Sequence, residues 1–243
     1  TIALTIDESG MAKNADKKLE VAKRIYDLAL EGGLRPEDLV FDALTFTLST
    51  GNDDDRRLGL ETLNGISMIK AKLPGVKTIL GVSNISFGFD PKIRKILNSV
   101  FLHYAVEHGL DSAIVNAQKI LPLFKISEEE REFHRKLIFD ERTPDYDPLF
   151  ALLDYYKSQE KTSTKSVEDT SSKSIEDVLK QRIINGNRVN LEKDLDIALA
   201  KYKPLEIIND ILLDGMKVVG DLFGAGKMQL PFVLQSAETM KAC

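Results

Sequence analysis

Residues 77–84 read KTILGVSN, a short β-branched run that ends on two polar residues, Ser83 and Asn84. Behind it, Ile93, Leu97, Val100 and Tyr104 fall at helical spacing, so the stretch predicts a strand, a loop and a helix in that order. The same unit recurs on both sides. Upstream, residues 1–6 lead to Asp7 and Glu8, and the next helix is expected to place Leu19, Ala22, Ile25 and Leu28 on one face. Pro36 and Glu37 open another unit, in which residues 39–41 end in Asp42 and the helix carries Leu63, Ile66, Ile69 and Leu73. Downstream, residues 112–115 end in Asn116. Strand and helix alternating at roughly 35-residue intervals imply parallel strands joined by helical crossovers, an α/β sheet or barrel. In a (β/α) barrel the C-terminal strand ends face the active-site mouth, which directs attention to Asp7, Asp42, Asn84 and Asn116. A complete barrel of eight units takes about 250 residues, so four units make half of one.

The pattern changes after residue 127. SEEEREFHRKLIF and YDPLFALLDYYKS read as packing helices, and KSQEKTSTKSVEDTSSKS at 157–174 has Val167 as its one apolar residue. So polar a stretch cannot bury enough surface to order itself and reads as a linker. Residues 175–243 hold four helical stretches, with Leu191, Leu195, Ala198 and Tyr202 on one face and Ile207, Ile208, Ile211 and Leu212 on another, as a small bundle requires. The expected organisation is therefore 1–156, a linker over 157–174, and an all-α unit over 175–243.

Composition narrows the function. With 243 residues, 43% hydrophobic and 29% charged, the chain has the make-up of a soluble globular protein of one large or two ordinary domains. A net charge of −5 argues against duplex nucleic acid as the main partner. The single cysteine, Cys243, excludes an intrachain disulfide, which fits a reducing cytoplasm, and no apolar run approaches the roughly 20 residues that span a bilayer.

Among the strand ends, GVSNISFGF at 81–89 gathers a carboxamide, hydroxyls and glycines into one loop. An amide both donates and accepts hydrogen bonds, which suits a nitrogen heterocycle, although on residue type alone a turn whose Asn and Ser cap the following helix is the commoner reading. Asp42 follows three apolar residues. A carboxylate there can take two parallel hydrogen bonds from the N–H and amino group of a 2-amino-4-oxo pterin, or it can cap a helix or pair with an arginine. GDLFGAGK at 220–227 is not a phosphate loop: its glycine spacing is wrong, Met228 stands where Ser or Thr is required, and a helix precedes it. His103, His108 and His134 lack ligand spacing and read as ordinary helix residues.

IDESGMAK at 6–13, FDALTFTLSTG at 41–51, LGVSNISFGF at 80–89, LNSVFLHYAVEHGLDSAIVN at 97–116 and GMKVVGDLFGAGKMQLPFVLQSAETMKA at 215–242 together resemble cobalamin-dependent methionine synthase, in order and through nearly the whole chain outside the linker. The resemblance implies the second half of a pterin-binding (β/α)8 TIM barrel followed by a four-helix cobalamin cap. It implies a reaction in which the methyl of 5-methyltetrahydrofolate passes to cob(I)alamin, giving methylcobalamin, and then to homocysteine. It further implies that Asp42 holds the pterin edge, that Asn84 reaches the N5 region, and that Arg94 lies along the folate site with Ser86 in the same loop. A tertiary amine is a poor leaving group, so an oriented amide at N5 would support the charge that develops as the methyl departs. Asp7 would line the pocket or serve as a structural group at the mouth. Phe223 and Leu230 match positions placed over the upper face of the corrin, though apolar residues beside a helical turn are commonly core. Asn209 stands where some members carry glutamate near the cofactor.

The homocysteine domain with its zinc cysteines and the domain that supplies the lower cobalt ligand are expected to lie outside this chain, so the chain alone is expected to be incomplete as an enzyme. Two other readings remain: a non-catalytic docking or cap subunit of a split corrinoid methyltransferase, whose half barrel would have strand edges to pair, and a pterin-dependent corrinoid methyltransferase with another acceptor. Dihydropteroate synthase fits less well, because it lacks the cap and needs a basic residue where this chain has Ser83 and Asn84.

Overall fold

The computed structural model describes residues 1–161, 174–188, 190–225, 228 and 230–243. They form two compact units, Thr1–Glu160 and Lys161–Cys243.

In the first unit the strands β1 (Ile2–Leu4), β4 (Val40–Asp42), β5 (Lys77–Gly81) and β6 (Ser112–Ile114) make one parallel sheet in the order β1-β4-β5-β6. Spatial order follows chain order without reversal, the winding of a (β/α) barrel and not of a doubly wound sheet. Helices α1 (Ala15–Glu31), α2 (Leu58–Lys72) and α3 (Pro91–Glu107) supply the crossovers. Because side chains alternate along a strand, Ala3, Phe41, Thr78 and Leu80 are buried, while Ile2, Leu4 and Ile114, at the alternate positions, are exposed. In this register Leu4 pairs with Asp42, and Asp42 with Ile79, which puts the Asp42 carboxylate on the second face, at the C-terminal end of its strand.

Local sequence explains the helix ends. Asn14 caps α1 through the Lys17 N–H (2.8 Å), Asp90 caps α3 through the Lys92 N–H (2.8 Å) with Pro91 at the first position, and Ser127 caps α4 (Glu128–Phe139) through the Glu130 N–H (3.2 Å). The expected faces of α2 and α3 hold, with Leu63, Ile66, Ile69, Ile93, Leu97 and Val100 buried.

Three expectations need correction. The strand expected over 1–6 stops at Leu4, and the chain turns into a hairpin of β2 (Ile6–Asp7) and β3 (Gly10–Met11), with Gly10 at φ +113° where an L side chain would be strained. The buried face of α1 is Ala15, Lys18, Val21 and Ala22, whereas Leu28 is 60% exposed. Lys18 takes an inward position because its methylene stem packs like an apolar chain and its ammonium finds carbonyl acceptors. Finally, α5 (Pro148–Lys161) carries the helix through 157–161, part of the expected linker. The remainder of that linker, 162–173, lies outside the described residues.

The second unit is all helical: α6 (Ile175–Ile184), α7 (Leu191–Leu199), a continuous helix built of α8 (Pro204–Glu206), a π-helical stretch (Ile207–Leu212) and α9 (Leu213–Gly224), and α10 (Leu230–Lys241). Leu179, Ile183, Leu191, Ala198, Ile207, Ile211 and Leu212 form its core, with Leu195, Tyr202 and Met216 packed against it. Ile208, expected on the apolar face, is turned partly outward, because the wider π turn moves the inward positions to Ile207, Ile211 and Leu212.

Candidate functional site

Asp42 ends β4. Its own carbonyl accepts the Thr5 N–H (3.1 Å) and lies 3.2 Å from the Thr5 hydroxyl, which fixes the strand end against β1. Its Oδ1 accepts the Leu44 N–H at 2.8 Å, so the carboxylate caps a turn two residues ahead and not a helix. Leu44 sits at φ +60°, a strained conformation for a leucine. The turn is held from below. The fully buried Lys18 donates to the carbonyls of Ala12 (2.9 Å), Ala43 and Leu44 (3.3 Å), and the Thr62 hydroxyl lies 3.1 Å from the same Leu44 carbonyl. Burial raises the Asp42 carboxyl above the ordinary carboxylate value, opposed by the Leu44 N–H and the Lys18 charge. Burial also pushes the Lys18 ammonium down to about 8, with Asp42 and Glu61 opposing.

Asn84 lies on a 3₁₀ turn, Val82–Ser86, directly after β5. The turn buries Val82 and Ile85 and leaves Ser83 and Asn84 exposed at the strand end. Helix capping does not explain Asn84, because α3 is capped by Asp90. Ser86 is buried: its hydroxyl donates to the Ser83 carbonyl (3.1 Å) and accepts from Arg94 Nε (3.2 Å). Ser86 therefore braces the turn and steers Arg94, which is half-buried on the first turn of α3. The loops after β4 and β5 are knitted together by the Leu48 N–H on the Ile85 carbonyl (3.1 Å) and by the Thr47 and Ser49 hydroxyls on the Phe87 carbonyl (2.6 and 2.7 Å). Asp42 and Asn84 thus belong to one jointly braced rim.

The other strand-end residues are used differently. Asp7 lies in the β2–β3 hairpin, where it pairs with Lys17 (2.7 Å) and accepts the Ser9 N–H (2.8 Å) and hydroxyl (2.5 Å). Lys17 and Ser9 hold its carboxyl far below the usual range, and the group fastens the hairpin to α1. Asn116 caps a 3₁₀ turn through the Gln118 N–H (3.1 Å).

In the helical unit, Gly215, Met216 and Val219 face inward along α9, and Phe223, one turn past the fully buried Val219, extends that stripe and is 44% exposed. Leu230 opens α10 and is half-buried. An apolar stripe that leaves the core at the end of a helix gives a flat hydrophobic group something to rest on. Asn209 lies inside the π-helical stretch. Of GDLFGAGK, Gly226 and Lys227 lie outside the described residues.

Comparison with known proteins fits both halves. Residues 2–116 match the family model of pterin binding enzymes, and residues 175–243 match that of the B12 binding domain. The chain is 49% identical, over 99% of its length, to the methionine synthase of Mycobacterium tuberculosis, and 50% identical over the same share to that of Mycobacterium leprae. The chain belongs to the methionine synthase family. It spans 20% of the length of each of these two relatives.

Within that family segment, the residues sequence reasoning passed over are Lys18, Thr47, Ser49 and Thr62, which hold the rim from behind. Their signal was available in part: Gly65 on α2 has no side chain where the Lys18 stem passes, and an added Cβ would stand 2.6 Å from Lys18 Cδ. The three histidines are accounted for locally. His103 pairs with Glu107 (3.3 Å), while His108 and His134 each place Nδ1 2.7 Å from the carbonyl four residues back. Among the described residues no group of His, Cys, Asp and Glu is arranged to hold a metal ion, and no helix is long and apolar enough to cross a membrane.

Proposed function

We propose that this chain is the part of a cobalamin-dependent methionine synthase that binds 5-methyltetrahydrofolate and covers cobalamin. The observation that carries the reading is the rim itself: a half-buried strand-end carboxylate and an exposed carboxamide in adjacent, mutually braced loops, on a chain that also bears the B12 binding domain. Asp42 takes the pterin's N–H and amino group, using acceptor capacity left after the Leu44 N–H is satisfied. Asn84 presents its amide to N5 and supports the charge that appears there as the methyl leaves. Arg94, aimed by Ser86, lies along the folate. Asp7, tied to Lys17, shapes the mouth from the hairpin and does not reach the pterin.

Phe223 and Leu230 suit a corrin: both are apolar, both flank the α9–α10 connection, and Phe223 is exposed without being separated from the core stripe. They would rest on the upper face of cobalamin and exclude water from it, with Asn209 set back in the π-helical stretch. When bound, cobalamin supplies a cobalt centre able to accept and give up a methyl group. Homocysteine, its zinc site and the lower cobalt ligand belong to the four-fifths of the relatives' length that this chain does not span, and the whole enzyme works in the cytoplasm. The presence of both matched domains on one chain favours this reading over a lone docking subunit.

The test is direct binding of 5-methyltetrahydrofolate to the full-length protein by calorimetry, with Asp42→Asn beside it. Binding that is measurably weakened in Asp42→Asn supports the reading. Failure of the unaltered protein to bind a reduced folate sinks it.

A further inference from the structure

We infer that Lys18 is a positioning residue for the pterin-holding carboxylate: it acts on the folate site through the 43–44 turn and touches no substrate. The inference rests on the folate-binding reading above.

A lysine with no exposed surface is rare unless its charge is answered. Here the answer is three main-chain carbonyls. Two of them, Ala43 and Leu44, are the residues immediately after Asp42, and the third, Ala12, follows the β2–β3 hairpin. An ammonium has three donors, and these acceptors match them one for one. The result is a tie between the start of α1 and the turn that gives Asp42 its only described backbone donor, the Leu44 N–H. That turn needs a tie, because Leu44 occupies the left-handed region, which a leucine rarely adopts. Without the ammonium the Ala43 carbonyl would lose its acceptor role and the turn would relax toward an ordinary conformation, taking the Leu44 N–H away from Asp42.

Two features argue that this position is built for a lysine. Gly65 leaves the channel for the stem: its missing Cβ would stand 2.6 Å from Lys18 Cδ and 3.4 Å from Lys18 Cβ. The ammonium also lies 5.1 Å from the centroid of the Phe46 ring, so the loop beyond the turn packs on the same charge. A lysine that merely filled the core would need neither a carved channel nor acceptors drawn from the site loop.

The experiment measures the dissociation constant of 5-methyltetrahydrofolate by calorimetry on the full-length protein, for the unaltered chain, Lys18→Met, Asp42→Asn and the double variant. Lys18→Met keeps the stem and removes the charge. A hydrogen bond from the pterin to a carboxylate that is no longer aligned forfeits its contribution, so Lys18→Met is expected to weaken folate by about tenfold or more. If Lys18 works through Asp42, the double variant binds no worse than Asp42→Asn alone. Gly65→Ala, which displaces the stem and retains the charge, is expected to weaken folate in the same direction and serves if Lys18→Met does not fold. Unaltered affinity in Lys18→Met or, failing that, in Gly65→Ala overturns the inference while leaving the folate reading intact, as does full additivity in the double variant. Loss of binding in the unaltered protein instead removes the folate reading, and this inference with it.

Discussion

His134 gives the first unit a built-in sensitivity to acid. Its ring has no exposed surface, Nδ1 donates to the Glu130 carbonyl at 2.7 Å when the ring is neutral, Nε2 is buried, and Tyr156 stacks edge-on with centroids 5.9 Å apart. Burial therefore disfavours the imidazolium and pushes the group down from 6.5 to about 4. The sign follows from linkage: the folded pKa is depressed, so between pH 6.5 and 4 the unfolded chain binds the proton and the folded one does not. The stability present above pH 6.5 is lost as the pH falls. Taking those two values, the loss is about 1.4 kcal/mol at pH 5.5 and about 2.5 kcal/mol at pH 4.5 relative to neutrality. In a unit of this size that is a fall in Tm of roughly 5–10 °C at pH 4.5. His134→Asn places an amide N–H where Nδ1 donates to Glu130 and cannot take up the proton. Urea melts of both proteins at pH 7.5, 5.5 and 4.5, followed by tyrosine fluorescence because the chain has no tryptophan, should therefore converge as the pH falls. Parallel curves, with a constant difference at all three pH values, would refute the argument.

Other expectations concern the site and the cap. Asn84→Ala should slow methyl transfer from 5-methyltetrahydrofolate to cobalamin by about 100-fold while homocysteine methylation from added methylcobalamin proceeds; equal loss in both half-reactions would count against its role at N5. Phe223→Ala should expose methylcobalamin to faster photolysis, read by the change in its visible spectrum, and an unchanged rate would remove Phe223 from the corrin face. Gly186 sits at φ +60° with Gln235 Cγ 2.6 Å from where a Cβ would stand. Gly186→Ala should therefore destabilise the helical unit by about 1–2 kcal/mol, measured as a lower melting midpoint, and no shift would mean that the α6–α7 turn is not under this constraint.

What the chain's text reveals is the part governed by period and by strand ends. The 3.6-residue spacing of Leu63, Ile66 and Ile69 is local, and so is the stop of β5 before Ser83 and Asn84; both are legible without a third dimension. Lys18 is not, because its acceptors are backbone carbonyls that have no letter of their own, and a lysine within an apolar stripe reads as a break in it. The hairpin at 6–11 was hidden for a related reason: Ser9-Gly10 is a turn signal, but the apolar residues on either side look like one strand until the Gly10 φ angle is known. Ser86 illustrates a third limit. Its loop is chemically rich in the sequence, yet only burial separates a hydroxyl that braces Arg94 from one that meets a ligand.

The sheet order β1-β4-β5-β6 also bears on how the first unit is made. Each new strand of this sheet adds beside the sheet strand synthesised before it, so every pairing closes over one helical crossover, joined between β1 and β4 by the β2–β3 hairpin. Parallel pairings that join Ile2 to Val40 and Val40 to Lys77 are slower to close than the helices between them, but a ribosome delivering the chain in order would present each βα unit with a finished template. The Thr5 N–H on the Asp42 carbonyl and the Lys18 tie are then made as soon as residues 42–44 emerge, which would place the assembly of the carboxylate's surroundings ahead of the loop that carries Asn84.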